Sequence, residues 1–316
     1  MIARSTLYTV SGGDTVQIVQ TAKELSNIGV SVDIKLANET IQYSNYDLLH
    51  FFNIIRPADI LYHLKRCQKP LLVSPIMINY SEFDRYYRRG FAGILFRFLT
   101  PGAIEYAKAL SRWVLGRDTL RGTSYLLMGY HRAIKTILKK TSLLLPNSQS
   151  EYNRIKNQYN CAGKYVLAPN GIDPELFKFD DTIKKDTRLI ICVARIEGIK
   201  NQYNLIKAIN NTNYHLLIIG APAQNQLSYF KSCKKIAAGN IFFIEHLPQP
   251  ELLKYYQQAK VHVLPSWFET TGLSSLEAAA MGCNIVITAK GDAKGASQVS
   301  IRNQAASLTG RGGRAK

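Results

Sequence analysis

The sequence predicts an α/β protein built from two doubly wound parallel sheets, and three observations carry this prediction. Short apolar runs rich in β-branched residues alternate with segments of helical period along most of the chain, as in parallel strands joined by crossover helices. The alternation pauses at the Pro/Gly/Asp cluster APNGIDPELF, residues 168–177, and then begins again. At 316 residues the chain also exceeds a typical single domain. We therefore expect two such domains facing each other across a cleft.

The first series predicts an amino-terminal domain over residues 1–168. Its strands are expected at 5–10, 30–36, 46–52, 70–74, 142–146 and 164–168. Its helices are expected at 15–28, 57–66, 102–115, 123–140 and 150–158. After the first strand, Gly12 and Gly13 precede a helix that we expect Asp14 or Thr15 to cap. The spacing matches neither G-x-G-x-x-G nor a P-loop, so it predicts a tight turn where a ligand could approach the backbone.

The second series predicts another domain over residues 188–288, after a linker at 169–187. Its strands are expected at 188–194, 214–219, 241–244, 261–264 and 284–288. Its helices are expected at 201–210, 225–237, 249–259 and 273–281. Residues 289–316 are rich in Gly, Ala, Ser and Arg with little apolar periodicity, and they predict a disordered tail.

The charge is strongly positive and unevenly distributed. The net charge is +18, which indicates an anionic partner such as phosphate, nucleic acid or a membrane surface. Residues 83–140 hold twelve Lys/Arg against three acids, and they open with FDRYYRRGFAGILFRFL. Arginine interleaved with Tyr and Phe suits nucleic acid or a lipid headgroup layer. No nucleic-acid recognition motif accompanies the segment, so we favour the inner membrane surface, with Arg88, Arg89 and Arg97 as candidate contacts; an ordinary basic helix face is the alternative.

The cysteine usage and the first residues of the chain point to a cytoplasmic protein. The five cysteines show neither paired nor metal-type spacing, as expected of reduced thiols. The first residues lack the apolar core of a signal peptide, and no apolar run approaches the roughly 20 residues that span a bilayer. Metal-hydrolase, nucleophile-elbow and Cys/His motifs are absent from the sequence. We expect a cytoplasmic protein, soluble or peripheral on the inner face of the membrane.

Two carboxylates stand eight positions apart in SWFETTGLSSLEAAAMGCNIVIT, where a strand meets a helix. Glu277 and Ser274 have the S-x-x-E spacing of a capping box. Glu269 lies in the turn before the helix and closes no such box, so a solvated loop acid and a ligand contact both remain open. The helix should end before Gly282, a natural C′ residue.

Cations and backbone amides are expected near these acids. The amides of Thr271, Gly272 and Leu273 would point into the turn where the helix begins, and amides at a helix N-terminus form an anion site. In VARIEGIKNQYNLIKAI, Arg195 and Lys200 flank a turn after the second domain's first strand, where they could bind a diphosphate or simply be solvated.

Taken together, the E-x7-E acids, the R-x4-K-N spacing from Arg195 to Lys200, PNGID at the domain junction and the paired glycines at the first turn resemble the retaining glycosyltransferases of family 4. That family has the GT-B fold, and the resemblance runs from residue 1 to about residue 290. It implies transfer of a sugar from a nucleotide-diphosphate sugar, with retention of configuration and without a bound metal or other cofactor.

The resemblance also implies a role for each candidate residue. Arg195 and Lys200 would neutralise the departing diphosphate, helped by the amides of Thr271, Gly272 and Leu273. Glu269 would hold hydroxyls of the donor sugar, and Glu277 those of the ribose. Gly12 and Gly13 would contribute to donor binding from the first domain. The acceptor would dock there beside the loop SPIMINYSEFDR, with candidate contacts at Tyr80, Glu82 and Asp84.

Two departures from the family pattern are visible. Many relatives carry a His-containing motif after the fourth strand of the first domain, but here that segment is LLVSPIMINYSEFD, so no base is assigned. Relatives also continue beyond NIVIT with further elements. We therefore hypothesise that the end of this chain is truncated or replaced and that its second domain is incomplete.

The sequence thus predicts a retaining hexosyltransferase that acts on a saccharide or lipid-linked saccharide in cell-surface polysaccharide synthesis. Two alternatives remain open. One is a sugar-nucleotide epimerase of the same architecture. The other is a non-catalytic module that binds a membrane surface or nucleic acid.

Overall fold

A computed structural model describes residues 1–10, 12–88, 91–115 and 124–292. The chain divides into two compact units, Met1–Pro169 and Asn170–Lys316. Each unit is built on one parallel five-stranded sheet, which confirms the predicted α/β class.

Within its described residues, the first unit has five short strands, and all but the first fall within strands that the sequence predicts. They are β1 (Ile2–Ala3), β2 (Lys35–Leu36), β3 (Leu49–Phe52), β4 (Leu71–Ser74) and β5 (Leu143–Leu144). Their order is β2-β1-β3-β4-β5, and all neighbours pair in parallel. The strand predicted at 164–168 is reduced to a bridge between Tyr165 and Leu144.

Six helices of this unit lie within the described residues. They are α1 (Gly13–Asn27), α2 (Pro57–Leu64), α3 (Phe91–Phe96), α4 (Pro101–Val114), α5 (Ser124–Lys140) and α6 (Gln149–Tyr159). Gly129, at φ 71°, interrupts α5. Helix α3 and a π-helical turn at Phe83–Tyr87 were not predicted, because neither is long enough to show a clear helical period.

The strand predicted at 5–10 is wrong, because Arg4 folds that segment into turns. Its guanidinium donates to the carbonyl oxygens of Thr6 (2.7 Å) and Val10 (2.6 Å) and pairs with the Asp14 carboxylate at 2.6 Å. Asp14 is therefore not a helix cap. Gly12 occupies the N-cap position of α1, and its amide donates to Thr15 Oγ1 at 3.2 Å.

The second unit contains every strand and helix that the sequence predicts for it. Its strands are β6 (Asp186–Val193), β7 (His215–Ile219), β8 (Ile241–Ile244), β9 (Ala259–Leu264) and β10 (Asn284–Ile287). Its helices are α7 (Gln202–Ile209), α8 (Leu227–Ile236), α9 (Gln249–Gln258) and α10 (Leu273–Ala280). Residues 170–187, expected to form a linker, also belong to this unit, and Phe177 is buried in its core.

The strand order of the second sheet fixes where a ligand can bind. The order is β10-β9-β6-β7-β8, so the chain builds outward from β6 on one side and then crosses to β9 on the other. In open parallel sheets, ligands bind beyond the carboxyl ends of the strands at such a switch point. The loops after β6 and β9 are therefore the first place to look for a site.

The end of α10 depends on a glycine. The helix is followed by Gly282 in the left-handed region at φ 76°, which confirms the predicted C′ residue. A Cβ at this position would lie 2.7 Å from the Phe179 ring. Both the backbone conformation and the close approach of Phe179 therefore favour glycine.

Gly282→Ala is expected to lower the unfolding free energy of the second unit by about 1–2 kcal/mol, since an L-residue is strained at this φ. The measurement is urea unfolding followed by fluorescence in a Trp113→Phe background, where Trp267 of the second unit is the only tryptophan. Gly171→Ala is the control, because a Cβ there meets nothing within 4 Å. Equal midpoints for the two variants would contradict the prediction.

Candidate functional site

Two hydrogen bonds join the loops that leave β6 and β9. The Asn201 side-chain amide donates to the Pro265 carbonyl at 3.1 Å. The Trp267 backbone amide donates to the Ile199 carbonyl at 2.8 Å. The loops that carry the predicted cations and acids are therefore held side by side at the switch point of the sheet.

Lys200 and Glu269 form the ion pair at this edge. Lys200 Nζ lies 2.7 Å from Glu269 Oε2, and Ser266 Oγ donates to the same oxygen at 2.9 Å. Glu269 is only 7% exposed, so it is not the solvated loop acid of the alternative reading. Its other oxygen, Oε1, accepts no hydrogen bond from the part of the chain that the structure describes. One oxygen is thus fixed, and the other is available to a ligand hydroxyl.

Arg195 lies at the end of β6 with a different partner. Its Nη2 donates to Glu197 Oε1 at 3.1 Å, and its backbone carbonyl accepts from the Gln202 side chain at 2.9 Å. The Arg195 side chain remains 36% exposed, so it can reach an added ligand. Glu197 was not predicted as a site residue, although it stands only two positions from Arg195 in VARIEG.

The turn before α10 presents backbone donors. Gly272 is the N-cap at φ 62°, and α10 begins at Leu273. Within the described ranges, the amides of Thr271, Gly272 and Leu273 donate no hydrogen bond. Asn170, from the PNGID motif, donates its side-chain amide to Thr271 Oγ1 at 3.0 Å and so holds the turn. The arrangement is an open set of donors at a helix N-terminus, where an anion is stabilised.

The expected capping box between Ser274 and Glu277 is not formed. Helix α10 starts before Ser274, so Ser274 lies inside its first turn. Glu277 instead accepts from Gln249 Nε2 at 2.7 Å and from the Tyr256 hydroxyl at 2.8 Å. The two donors stand seven positions apart on α9, a spacing that places them on one face of the helix and that could have identified them. A tertiary contact therefore replaces the local one.

Burial shifts the pKa values of Glu277 and His262. Loss of water raises the pKa of Glu277, against the two hydrogen bonds that lower it. His262, on β9, lies fully buried near the Tyr256 ring, and burial lowers its pKa to about 3. The imidazole is therefore neutral at physiological pH.

Residues 289–292 correct the prediction that the tail is disordered from residue 289 onward. The Glu269 amide donates to the Lys290 carbonyl at 3.3 Å, and the Asp292 amide donates to the Glu269 carbonyl at 2.7 Å. Gly291 has φ 96°, and a Cβ there would lie 2.0 Å from the Glu269 carbonyl oxygen. This segment supports the backbone of Glu269. The rest of the predicted tail, 293–316, lies outside the described residues.

The candidates in the first unit have mixed environments. Gly12 and Gly13 form the N-cap and first residue of α1, and Tyr80 and Glu82 are partly exposed. Asp84 is 1% exposed and both its oxygens are bound by cations of the same unit, so its role as an acceptor contact stays a prediction.

The first cation on Asp84 is Arg88, whose Nε donates at 2.7 Å, and the second is Lys108. Of the basic surface candidates, Arg88 is therefore held in an internal ion pair, whereas Arg97 is exposed. Arg89 lies outside the described residues.

The comparison with protein families finds a match in the second unit. The family model for glycosyl transferases group 1 matches residues 173–299. That range lies in the second unit and contains Arg195, Lys200, Glu269 and Glu277. The match covers less than half of the chain.

Curated relatives of this chain are also glycosyltransferases. A D-inositol 3-phosphate glycosyltransferase from Corynebacterium urealyticum is 24% identical over 318 residues, covering 88% of this chain and 74% of the relative. A second, from Kribbella flavida, is 25% identical over 178 residues, covering 49% of this chain and 42% of the relative. The match therefore takes in less than half of the second relative's length.

Solved structures extend the likeness to both units. Sucrose-phosphate synthase from Thermosynechococcus elongatus has a TM-score of 0.65 at 17% identity, covering 92% of this chain and 77% of that one. HepE from Anabaena, in complex with UDP and glucose, has a TM-score of 0.61 at 14% identity, covering 93% and 82%. WaaG, a glycosyltransferase involved in lipopolysaccharide biosynthesis, has a TM-score of 0.59 at 17% identity, covering 96% and 84%. The chain has the GT-B fold, and the comparisons support a group 1 glycosyltransferase.

The raised pKa of Glu277 predicts a pH-dependent difference between the wild type and Glu277→Gln. The folded state holds this proton more tightly than the unfolded state, so the stabilisation is present below the ordinary value of 4.5 and is lost as pH rises through the folded-state pKa. Over that window the wild type should lose about 1.4 kcal/mol relative to the variant for each unit by which burial raises the pKa.

Urea unfolding in the Trp113→Phe background, repeated from acid to neutral pH, measures this difference. Glu251→Gln removes an exposed carboxylate from α9 and serves as the control. A constant difference in unfolding free energy between the wild type and Glu277→Gln across the pH range would contradict the raised pKa of Glu277.

Proposed function

We propose that this chain is a retaining glycosyltransferase that moves a sugar from a nucleoside-diphosphate sugar to a saccharide or lipid-linked saccharide acceptor. The observation that carries the proposal is the arrangement at the switch point of the second sheet. There Lys200 pairs with one oxygen of Glu269 while the other oxygen stays available, next to three backbone amides that lack partners among the described residues.

The proposed donor matches this arrangement group by group. A diphosphate needs cations and N–H donors, which Arg195, Lys200 and the turn from Thr271 to Leu273 supply. A sugar presents hydroxyls, for which a carboxylate is a strong acceptor. Glu269 would accept them at Oε1, because Lys200 and Ser266 already hold Oε2.

Glu277 would hold the ribose hydroxyls in the proposed complex. Its two oxygens already accept from Gln249 and Tyr256, but a carboxylate has about four lone-pair sites and can accept further hydrogen bonds. Hydroxyl donors stabilise the ionised form, so a bound nucleotide would oppose the effect of burial on this pKa. Nucleotide binding and ionisation of Glu277 are therefore proposed to be coupled.

The proposed chemistry uses electrostatic stabilisation of the leaving group. As the bond from the sugar to the diphosphate breaks, negative charge grows on the phosphate oxygens, and in the proposed complex Arg195, Lys200 and the amides would stabilise that charge. We propose that these groups suffice without a metal ion or other cofactor. Attack on the face that the diphosphate leaves, with a phosphate oxygen taking the acceptor proton, would retain the configuration of the sugar.

The similar proteins suggest the first compounds to test. HepE was crystallised with UDP and with UDP-glucose, so we propose a uridine nucleotide as the donor's leaving group. The curated relatives are named for D-inositol 3-phosphate, and WaaG is described as involved in lipopolysaccharide biosynthesis. A saccharide of the cell surface remains our proposed acceptor, with inositol phosphate as the second compound in the panel.

Arg195→Met is expected to lower kcat/KM for UDP-sugar turnover by roughly 10²-fold, because it removes a cation that stabilises the leaving group. Glu269→Gln should cause a loss of similar size through weaker contacts to the donor sugar. Mass spectrometry of donor hydrolysis and transfer, in the presence of a chelator, measures both and also tests metal independence. The matched controls are Arg188→Met and Glu175→Gln, which remove exposed charges of the same unit.

Three results would overturn the proposal in different ways. Turnover that persists in Arg195→Met and Glu269→Gln would show that the catalytic site does not lie at the edge of the second sheet. Conversion of the donor sugar to its epimer without any acceptor would favour the epimerase alternative. Inversion of the anomeric configuration in the product, read by NMR, would contradict the retaining mechanism alone.

Exposed side chains of the first unit support the proposed contact with the inner membrane face. Helices α3, α4 and α5 expose large apolar side chains, including Phe98 (84% exposed) just after α3 and Leu127 (88%) in α5. Exposed basic residues accompany them, Arg97 among them. No helix among the described residues is long and apolar enough to cross a bilayer. Apolar side chains beside cations suit the boundary between headgroups and acyl chains. We therefore propose a cytoplasmic protein that binds peripherally to the inner face of the membrane.

Phe98→Ser is expected to weaken binding to phosphatidylglycerol vesicles by about tenfold, because a large apolar side chain no longer enters the acyl layer. Arg97→Gln should weaken it less and should lower its salt dependence. Vesicle co-sedimentation measures both effects. Phe242→Ser changes an exposed apolar residue of the second unit and is the control. Preference for single-stranded DNA over the vesicles would support the nucleic-acid module instead.

A further inference from the structure

Lys185 lies at the centre of a ring of backbone carbonyl oxygens. Its Nζ is 2.8 Å from the Met281 oxygen, 3.0 Å from that of Tyr256, and 3.1 Å from those of Gln257 and Ala259. An ammonium group has only three hydrogens to donate, so four acceptors around it resemble the coordination of a compact cation. The segment before β6, expected to be a linker, supplies this lysine.

The carbonyl oxygens of the ring come from two helix ends. Tyr256 and Gln257 are in the last turn of α9, Ala259 directly follows it, and Met281 directly follows α10. Carbonyls in the last turn of a helix have no partner within the helix, and the dipole makes that end negative. Neither α9 nor α10 has a basic residue in its own last turn. Lys185 therefore supplies to both helices the cation that their own sequences lack.

The thiol beside this ring does not supply the opposing charge. Cys283 Sγ lies 3.9 Å from Lys185 Nζ and donates to the carbonyls of Tyr256 and Ala259 at 3.1 and 3.3 Å. Burial raises the pKa of this thiol to about 11, so it stays neutral at physiological pH. Carbonyl dipoles, rather than a thiolate, thus hold the ammonium.

The two helices that Lys185 joins carry the Glu277 carboxylate and its two hydrogen-bond donors. Glu277 is on α10, whereas Gln249 and Tyr256, which donate to it, are on α9. The carbonyl of Tyr256 binds Lys185, while its hydroxyl binds Glu277. A single residue therefore connects the ammonium to the acid.

We propose that Lys185 is a positioning residue of the donor site: by holding the ends of α9 and α10 together, it sets Glu277 in place for the nucleotide. This inference rests on the proposed function of Glu277. It adds that the carbonyl ring is a site for a compact cation, which Lys185 fills from within the chain.

The test uses Lys185→Met and Lys185→Gly in the full chain, with Lys184→Met and Lys184→Gly as matched controls. Lys184 is the exposed neighbour of Lys185, and its substitution removes the same formal charge. Isothermal titration should show UDP binding weakened roughly tenfold in the Lys185 variants, with kcat at saturating donor within about twofold of the wild type. Ammonium or methylammonium ions should restore UDP affinity and raise the melting temperature of Lys185→Gly, but not of Lys184→Gly.

Each other result would overturn part of the inference. A lower melting temperature with unchanged UDP affinity would make Lys185 a stabilising residue only. No response of Lys185→Gly to either ion would show that the ring is not a cation site. Failure of the wild type to bind any nucleoside diphosphate would overturn the proposed function and the positioning role together, whereas loss confined to the Lys185 variants supports the inference.

Discussion

The candidate site depends on the parallel pairing of β6 with β9. This pair forms the centre of the second sheet, with Ile190 opposite Val261 and Ile191 opposite His262. The chain reverses its direction of travel across the sheet there, and in open parallel sheets ligands bind beyond the carboxyl ends of the strands at such a point. Two residues far apart in sequence, Lys200 and Glu269, become ion-pair partners for this reason. The apolar core and the polar edge are consequences of one topology.

At that edge, positive and negative groups are matched locally before any ligand arrives. Lys200 pairs with Glu269, and Arg195 pairs with Glu197. Unpaired cations at a partly buried edge would repel each other and lose hydration, whereas paired ones keep defined positions. A ligand that carries both phosphates and hydroxyls can then replace these ion pairs, with its phosphates bound by the cations and its hydroxyls by the carboxylates. The same arrangement therefore orders these side chains in the free chain and suits the proposed donor.

Helix α10 shows how one short element can serve a site with both of its ends. Its N-terminus offers amides to an anion, and its C-terminus contributes a carbonyl to the ring around Lys185. Between them, Glu277 faces α9 and takes its hydrogen bonds from Tyr256 and Gln249. Because eight residues form only about two turns, a shift at either end would move this carboxylate.

The sequence by itself determined the α/β class, the elements of the second unit and the candidate residues of its carboxyl edge, because these follow from periodicity and from short motifs. Only the tertiary structure decided the rest. Arg4 holds residues 5–10 in turns where a strand was predicted. Asp84 is an internal ion-pair partner. Glu277 accepts hydrogen bonds from two donors on α9 and forms no local capping box. Lys185 gave no local signal at all. In each case the deciding contact joins residues that the strand order or the packing of helices brings together, and periodicity along the chain carries no record of such distant partners.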